Sequence, residues 1–121
     1  MYKEIIRQEN IQTLGNYTIV KSVEQTYWDN GRRFGRANTW YDICLDGGNG
    51  DIYESYDKLN AAKKRIKELD IYDKKQKCME VDFENALENN MGTRGEIRKF
   101  YDNLSTKMIY KIYEEYYGKD E

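Results

Sequence analysis

The sequence predicts a segregated α+β fold, an N-terminal antiparallel sheet of three to four strands followed by about four C-terminal helices. Three observations carry that expectation. Apolar residues alternate with polar ones at the period of a strand through the first half of the chain. Glycine-bearing turns separate those stretches. Beyond residue 56 the apolar spacing changes to three and four, the period of a helix.

The pair Gly15-Asn16 can take a tight turn between Leu14 and Tyr17, so the residues on either side of it are expected to form a hairpin. From Tyr17 to Tyr27, Tyr17, Ile19 and Val23 alternate with Thr18, Ser22, Glu24 and Thr26, with Val20 a slight break in the pattern. Residues 28 to 38 then read as a long arginine-bearing loop, made flexible by Gly31 and Gly35. Tyr41, Ile43 and Leu45 face one way and Trp40, Asp42 and Cys44 the other, which predicts the next strand. The run Gly47-Gly48-Asn49-Gly50 turns the chain into a short strand from Ile52 to Tyr56.

Asp57 is placed to cap the first helix, whose stripe is Leu59, Ala62, Ile66 and Leu69. The charged run from Asp73 to Cys78 reads as a connector. Met79, Phe83, Ala86 and Leu87 predict a second helix ending near Asn90-Met91-Gly92. Thr93 and Glu96 have the Thr-x-x-Glu spacing of a capping box, opening a helix with Ile97, Phe100, Tyr101 and Leu104 on one face. Ser105 caps the last helix, lined by Ile109, Ile112, Tyr113 and Tyr116. With 121 residues and no low-complexity linker, a single domain over 1–121 is expected, mostly β to residue 56 and mostly α from residue 57.

Composition narrows the function classes. The chain has no histidine, which removes the side chain that most often acts as acid or base near neutrality and with it the usual serine and cysteine triads. Cys44 and Cys78 are far apart and read as idle thiols rather than a disulfide or part of a zinc set. Asp46, Asp51, Glu54 and Asp57 lack the ligand spacing of a calcium loop, and the acids Glu80, Asp82, Glu84 and Glu88 read as a solvated helix face. The glycines of residues 47–50 are flanked by Asp46 and Asp51, which would repel a phosphate. No catalytic residue, metal or cofactor is therefore expected, and the chain reads as a binding protein rather than an enzyme. The formal net charge of −2 argues against a dedicated nucleic-acid binder and also against a saturated acidic DNA mimic. The charged N-terminal residues and the lack of a long apolar run point to a cytoplasmic protein with no membrane contact.

The strongest candidate for contact is the stretch from Tyr27 to Trp40. Arginine, tryptophan and other aromatics dominate binding hot spots, so Trp28, Arg32, Arg33, Phe34, Arg36 and Trp40 form the expected partner-binding patch. The alternative left open is that Phe34 and Trp40 fold back on the sheet while the arginines pair with Asp29 and Asp42. A secondary basic patch is expected at Lys63, Lys64, Lys67, Lys74 and Lys75, either a solvated helix face or a phosphate contact. The tyrosine-rich terminal helix offers a surface for a homodimer. The two last helices could imitate a helix-turn-helix, but carry too few donors for major-groove reading.

Small size, a bias to lysine, asparagine, tyrosine and isoleucine, the lack of histidine and proline, and a sheet-then-helices plan together resemble small phage or mobile-element accessory proteins, among them anti-CRISPR and other anti-defence inhibitors. The resemblance is one of style over the whole chain and carries no functional residue across. It implies a stoichiometric inhibitor whose partner is a larger host protein or ribonucleoprotein, such as a CRISPR-Cas nuclease, blocked at its nucleic-acid site or in its conformational cycle. The other class of function left open is a nucleic-acid or nucleotide-signal binder, with the arginines and helical lysines on phosphates and the rings on bases.

Overall fold

A computed structural model describes residues 1–45, 51–89 and 92–118. Four strands, β1 (Tyr2–Leu14), β2 (Tyr17–Tyr27), β3 (Arg33–Leu45) and β4 (Ile52–Tyr56), form one antiparallel sheet in the order β1-β2-β3-β4. Three helices follow: α1 (Leu59–Asn89), α2 (Arg94–Asp102) and α3 (Thr106–Tyr117). The α+β class is as the sequence predicts, with three helices where about four were expected. The chain divides into two compact units, Met1–Asp70 and Ile71–Glu121, with the boundary inside α1.

In the first unit the Gly15-Asn16 turn sets the β1–β2 register, with Leu14 opposite Tyr17. β2 lies between β1 and β3, and its first half is buried on both faces, from Tyr17 to Val20. On one face Tyr17, Ile19 and Ile43 pack against Ala62, Ile66 and Leu69 of α1, the stripe read from the sequence. Thr18 and Ser22, on the other face, are fully buried polar residues. They are satisfied across the ladder: Thr13 and Thr18 hydroxyls lie 2.9 Å apart, and Gln8 Nε2 donates to Ser22 Oγ at 3.3 Å. Beside them Asp42 accepts from Ser55 Oγ and from Trp40 Nε1. Burial, then the nearby Asp42 carboxylate, pushes the Cys44 thiol up.

Arg65 closes this unit's helix against β4. Its guanidinium reaches Glu54 at 2.9 Å and Glu68 at 3.3 Å, and the hydrogen bonds from Arg65 and Tyr56 hold the Glu54 carboxyl below its ordinary range. Asp57 does not cap α1. The first intrahelical bond runs from Ala62 N to Lys58 O, which leaves Asp57 one residue outside the cap position.

The expected connector from Asp73 to Cys78 is continuous helix. No glycine or proline occurs between Gly50 and Gly92, and lysine and glutamine propagate a helix well. Within the second unit this charged run is also partly buried. Lys74 lies 4.9 Å from the centroid of Tyr113 and 5.6 Å from that of Tyr110, and Lys75 Nζ is 2.6 Å from Asp102 Oδ1. The unit's core is Cys78, Met79 and Tyr101, with Phe83, Ile97, Leu104, Ile112 and Tyr113 around them. Two predicted core members stand outside it: Leu87 is exposed in the last turn of α1, and Phe100 only meets Tyr101 edge to face.

Both predicted caps form, Thr93 Oγ1 accepting from Glu96 N and Ser105 Oγ from Met108 N. Asp82 joins the three helices by accepting from the hydroxyls of Tyr101 and Tyr116. Burial, then the bond to Asp82, raises the Tyr101 hydroxyl far above its ordinary range, while the Asp82 bond and burial push Tyr116 up to about 12. Cys78, buried and close to Asp82, is pushed up to about 11. Neither cysteine is bonded to the other. The predicted turn at residues 47–50, the acid Asp46 and the stop at Asn90-Met91 lie outside the described residues.

Candidate partner-binding arm

The residues expected to form a flexible loop are mostly strand. β2 continues to Tyr27 and β3 begins at Arg33, which leaves five residues for the reversal. Gly31 N donates to Trp28 O at 2.9 Å and Trp28 N to Arg32 O at 2.8 Å. With Gly31 at φ 86°, this is a three-residue hairpin loop of Asp29, Asn30 and Gly31, closed by a left-handed glycine. Asn30 Oδ1 tightens it by accepting from Arg32 N at 3.0 Å.

The strands leading to this turn form an arm. β4 pairs with β3 only from Tyr41 to Cys44, so the earlier part of β3 has a free outer edge. Residues 2–8 and 33–38 are exposed throughout. The arm is held in shape by its middle strand. Opposite Gln25, β3 is irregular between Phe34 and Asn38, with Gly35 at φ 70°. Gln25 is buried, and its Nε2 donates to the carbonyls of Thr26, Gly35 and Phe34 at 3.0, 3.2 and 3.4 Å. A bulge of this kind re-aims the side chains it carries, and here it carries Arg36.

At the end of the arm Trp28 and Phe34 meet edge to face, ring centroids 4.6 Å apart. Each still leaves more than two-fifths of its surface in solvent, 44% and 43%. Tyr2 and Tyr27 stack at 5.4 Å. The Met1 amino group lies 2.7 Å from Asp29, and Asp42 is engaged by Trp40 and Ser55. The pairing of arginines with Asp29 and Asp42, open in the sequence, is not what forms. Among the described residues the guanidiniums of Arg32, Arg33 and Arg36 make no ion pair.

Five of the six predicted contact residues are therefore brought to one end of the arm: Trp28, Arg32, Arg33, Phe34 and Arg36. Trp40 is not among them. It lies opposite Ser22 while Phe34 lies opposite Thr26, four residues or about 13 Å away along β2 at ~3.3 Å per residue, and it is half-buried and bonded to Asp42. Sequence reasoning missed Tyr2, Ile5 and Ile6, which share the exposed arm; the signal was the β1–β2 hairpin register, which puts Tyr2 opposite Tyr27.

The residues of the secondary basic patch fall in both units. Lys63, Lys64 and Lys67 are exposed in the first unit, but Lys74 is buried against tyrosine rings and Lys75 is paired with Asp102, because both lie on the side of α1 that α2 and α3 cover. In α3, Tyr113 and Tyr117 stack on each other and Tyr116 bonds Asp82, while Tyr116 and Tyr117 remain exposed. Among the described residues no group of three or more acids and cysteines is arranged to hold a metal ion, and no helix is long and apolar enough to cross a membrane. No family model matches the chain, and neither curated proteins nor solved structures give a match.

Proposed function

We propose that this chain is a non-enzymatic binding protein that occupies a surface of a larger protein or ribonucleoprotein in the cytoplasm through the end of its sheet arm. One observation carries the reading: among the described residues the guanidiniums of Arg32, Arg33 and Arg36 have no carboxylate partner, and they lie on or next to the braced turn whose two aromatic rings, Trp28 and Phe34, are solvent-exposed. Stabilising that turn in advance lowers the ordering cost of binding, and unpaired arginines next to large rings are the chemistry of interface hot spots. The resemblance to anti-defence inhibitors supports occlusion of a nuclease-type effector as the form this binding takes.

The test is affinity capture with the wild-type chain and with a variant combining Arg32→Ser, Arg33→Ser and Arg36→Ser, followed by mass spectrometry with and without nuclease. The expected outcome is a protein partner retained after nuclease treatment and reduced about tenfold or more by the triple variant, whose circular dichroism spectrum is unchanged. Equal capture by both chains would overturn the reading. Capture lost on nuclease treatment, together with direct salt-dependent binding of labelled single-stranded oligonucleotides, would replace it with nucleic-acid binding.

A further inference from the structure

We infer that the arm enters a cleft with acidic walls in its protein partner and is gripped on both faces, rather than lying with one face on a flat surface; this rests on the binding reading above and adds its geometry. The argument begins with register. Tyr2 is opposite Tyr27, and Phe34 is opposite Thr26. Tyr27 and Thr26 are neighbours on one strand, and neighbouring residues of a strand point to opposite faces. The Tyr2–Tyr27 pair therefore stands on one face of the arm and Phe34, with Trp28 against it, on the other.

Both pairs sit at the same end of the arm and both are accessible, Tyr2 to 42% and Phe34 to 43%. A partner covering a single face would leave one aromatic pair in water. Ile5, opposite Glu24, lies on the Phe34 face and is also exposed, so neither face is a plain solvent face of the kind that an edge hairpin ordinarily shows.

Charge fixes the chemistry of the walls. Between Asp29 and Asp42 the chain carries Arg32, Arg33 and Arg36 and no acid; Arg32 lies in the reversal between β2 and β3, and Arg33 and Arg36 in the part of β3 that β4 does not pair with. Carboxylates lining the partner's cleft would receive these planar donors in pairs. A wall packed on each face stands about 10 Å from the sheet, so the cleft is roughly 20 Å across between the backbones of its walls.

Lys3 and Glu4 are adjacent, exposed and on opposite faces, opposite Thr26 and Gln25. A benzophenone side chain is placed at each position in turn in the full-length chain, and irradiation is carried out in cells that naturally carry the gene. Insertion predicts that both positions cross-link to the same polypeptide, at two separate segments of it, each containing acidic residues. It also predicts that Tyr2→Ala with Tyr27→Ala, and separately Trp28→Ala with Phe34→Ala, lower the yield from the opposite face by about tenfold. A cross-link from one position only, or loss with one pair alone, overturns the cleft and leaves the binding reading standing. No protein cross-link from either position, or a nuclease-sensitive adduct, overturns both.

Discussion

The two ends of β2 are parts of one strand with one alternation, yet they have opposite fates. From Tyr17 to Ser22 the strand is walled on one face by α1 and on the other by a polar ladder of hydroxyl, amide and carboxylate groups. Among the described residues, Val23 to Tyr27 pair with β1 and β3 and join neither hydrophobic core cluster. Length explains the contrast. The part of α1 in the first unit, Leu59–Asp70, rises about 18 Å at ~1.5 Å per residue, whereas a strand of the length of β1 or β3 spans about 43 Å at ~3.3 Å per residue. Within the first unit the helical segment is thus shorter than the strands, and the strand end away from its core carries turn chemistry and bracing of its own.

The contrast can be tested by substitution. The largest effect is expected from Ile19→Ala, which opens a cavity beneath Ile43 and Ile66 and should cost about 3 kcal/mol in urea unfolding; a loss below ~1 kcal/mol would mean that the covered half does not anchor the fold. Gln25→Ala comes next. It strips the donors from the Phe34 and Gly35 carbonyls, with an expected cost of about 1–2 kcal/mol and faster amide exchange in residues 33–38 than in residues 17–22. Equal exchange before and after the change would show that the arm does not depend on this side chain.

A smaller effect concerns pH. The Glu54 carboxyl is held below its ordinary value of about 4.5 by Arg65, so its contribution is fully present above that value and is lost as pH falls through the lower folded one. Glu54→Gln should flatten the acid limb of the stability curve while leaving the arm's exchange unchanged. The smallest effect belongs to the arginine triple variant, expected to stay within about 0.5 kcal/mol of wild type while losing its partner.

Several elements were legible because a single local rule governed them. Gly15-Asn16 fixed a hairpin, Leu59, Ala62, Ile66 and Leu69 fixed a helix face, and Thr93 and Ser105 fixed two helix starts. The failures came where tertiary context decided. Lysine and aspartate around residues 73–78 look like a connector until aromatic rings and Asp102 are brought against them. Asp29-Asn30-Gly31 is itself a hairpin loop, but the length of the arginine-bearing stretch and Gly35 disguised it as a flexible excursion. Gln25 carries no sequence signal for its role, since only the bulge opposite it supplies the carbonyls it bonds. Trp40 looked equivalent to Trp28, and the register separated them.

The ladder between β1 and β2 slips twice, between Ile5 and Arg7 and between Asn10 and Gln12. Regular pairing along β1 is thereby cut into the segments Tyr2–Ile5, Arg7–Asn10 and Gln12–Leu14. Each is shorter than the six or seven residues, roughly, that a fibril-forming zipper needs to stack in register. Slips of this kind twist and interrupt an edge strand, which is one of the devices by which sheets discourage edge-to-edge pairing between molecules.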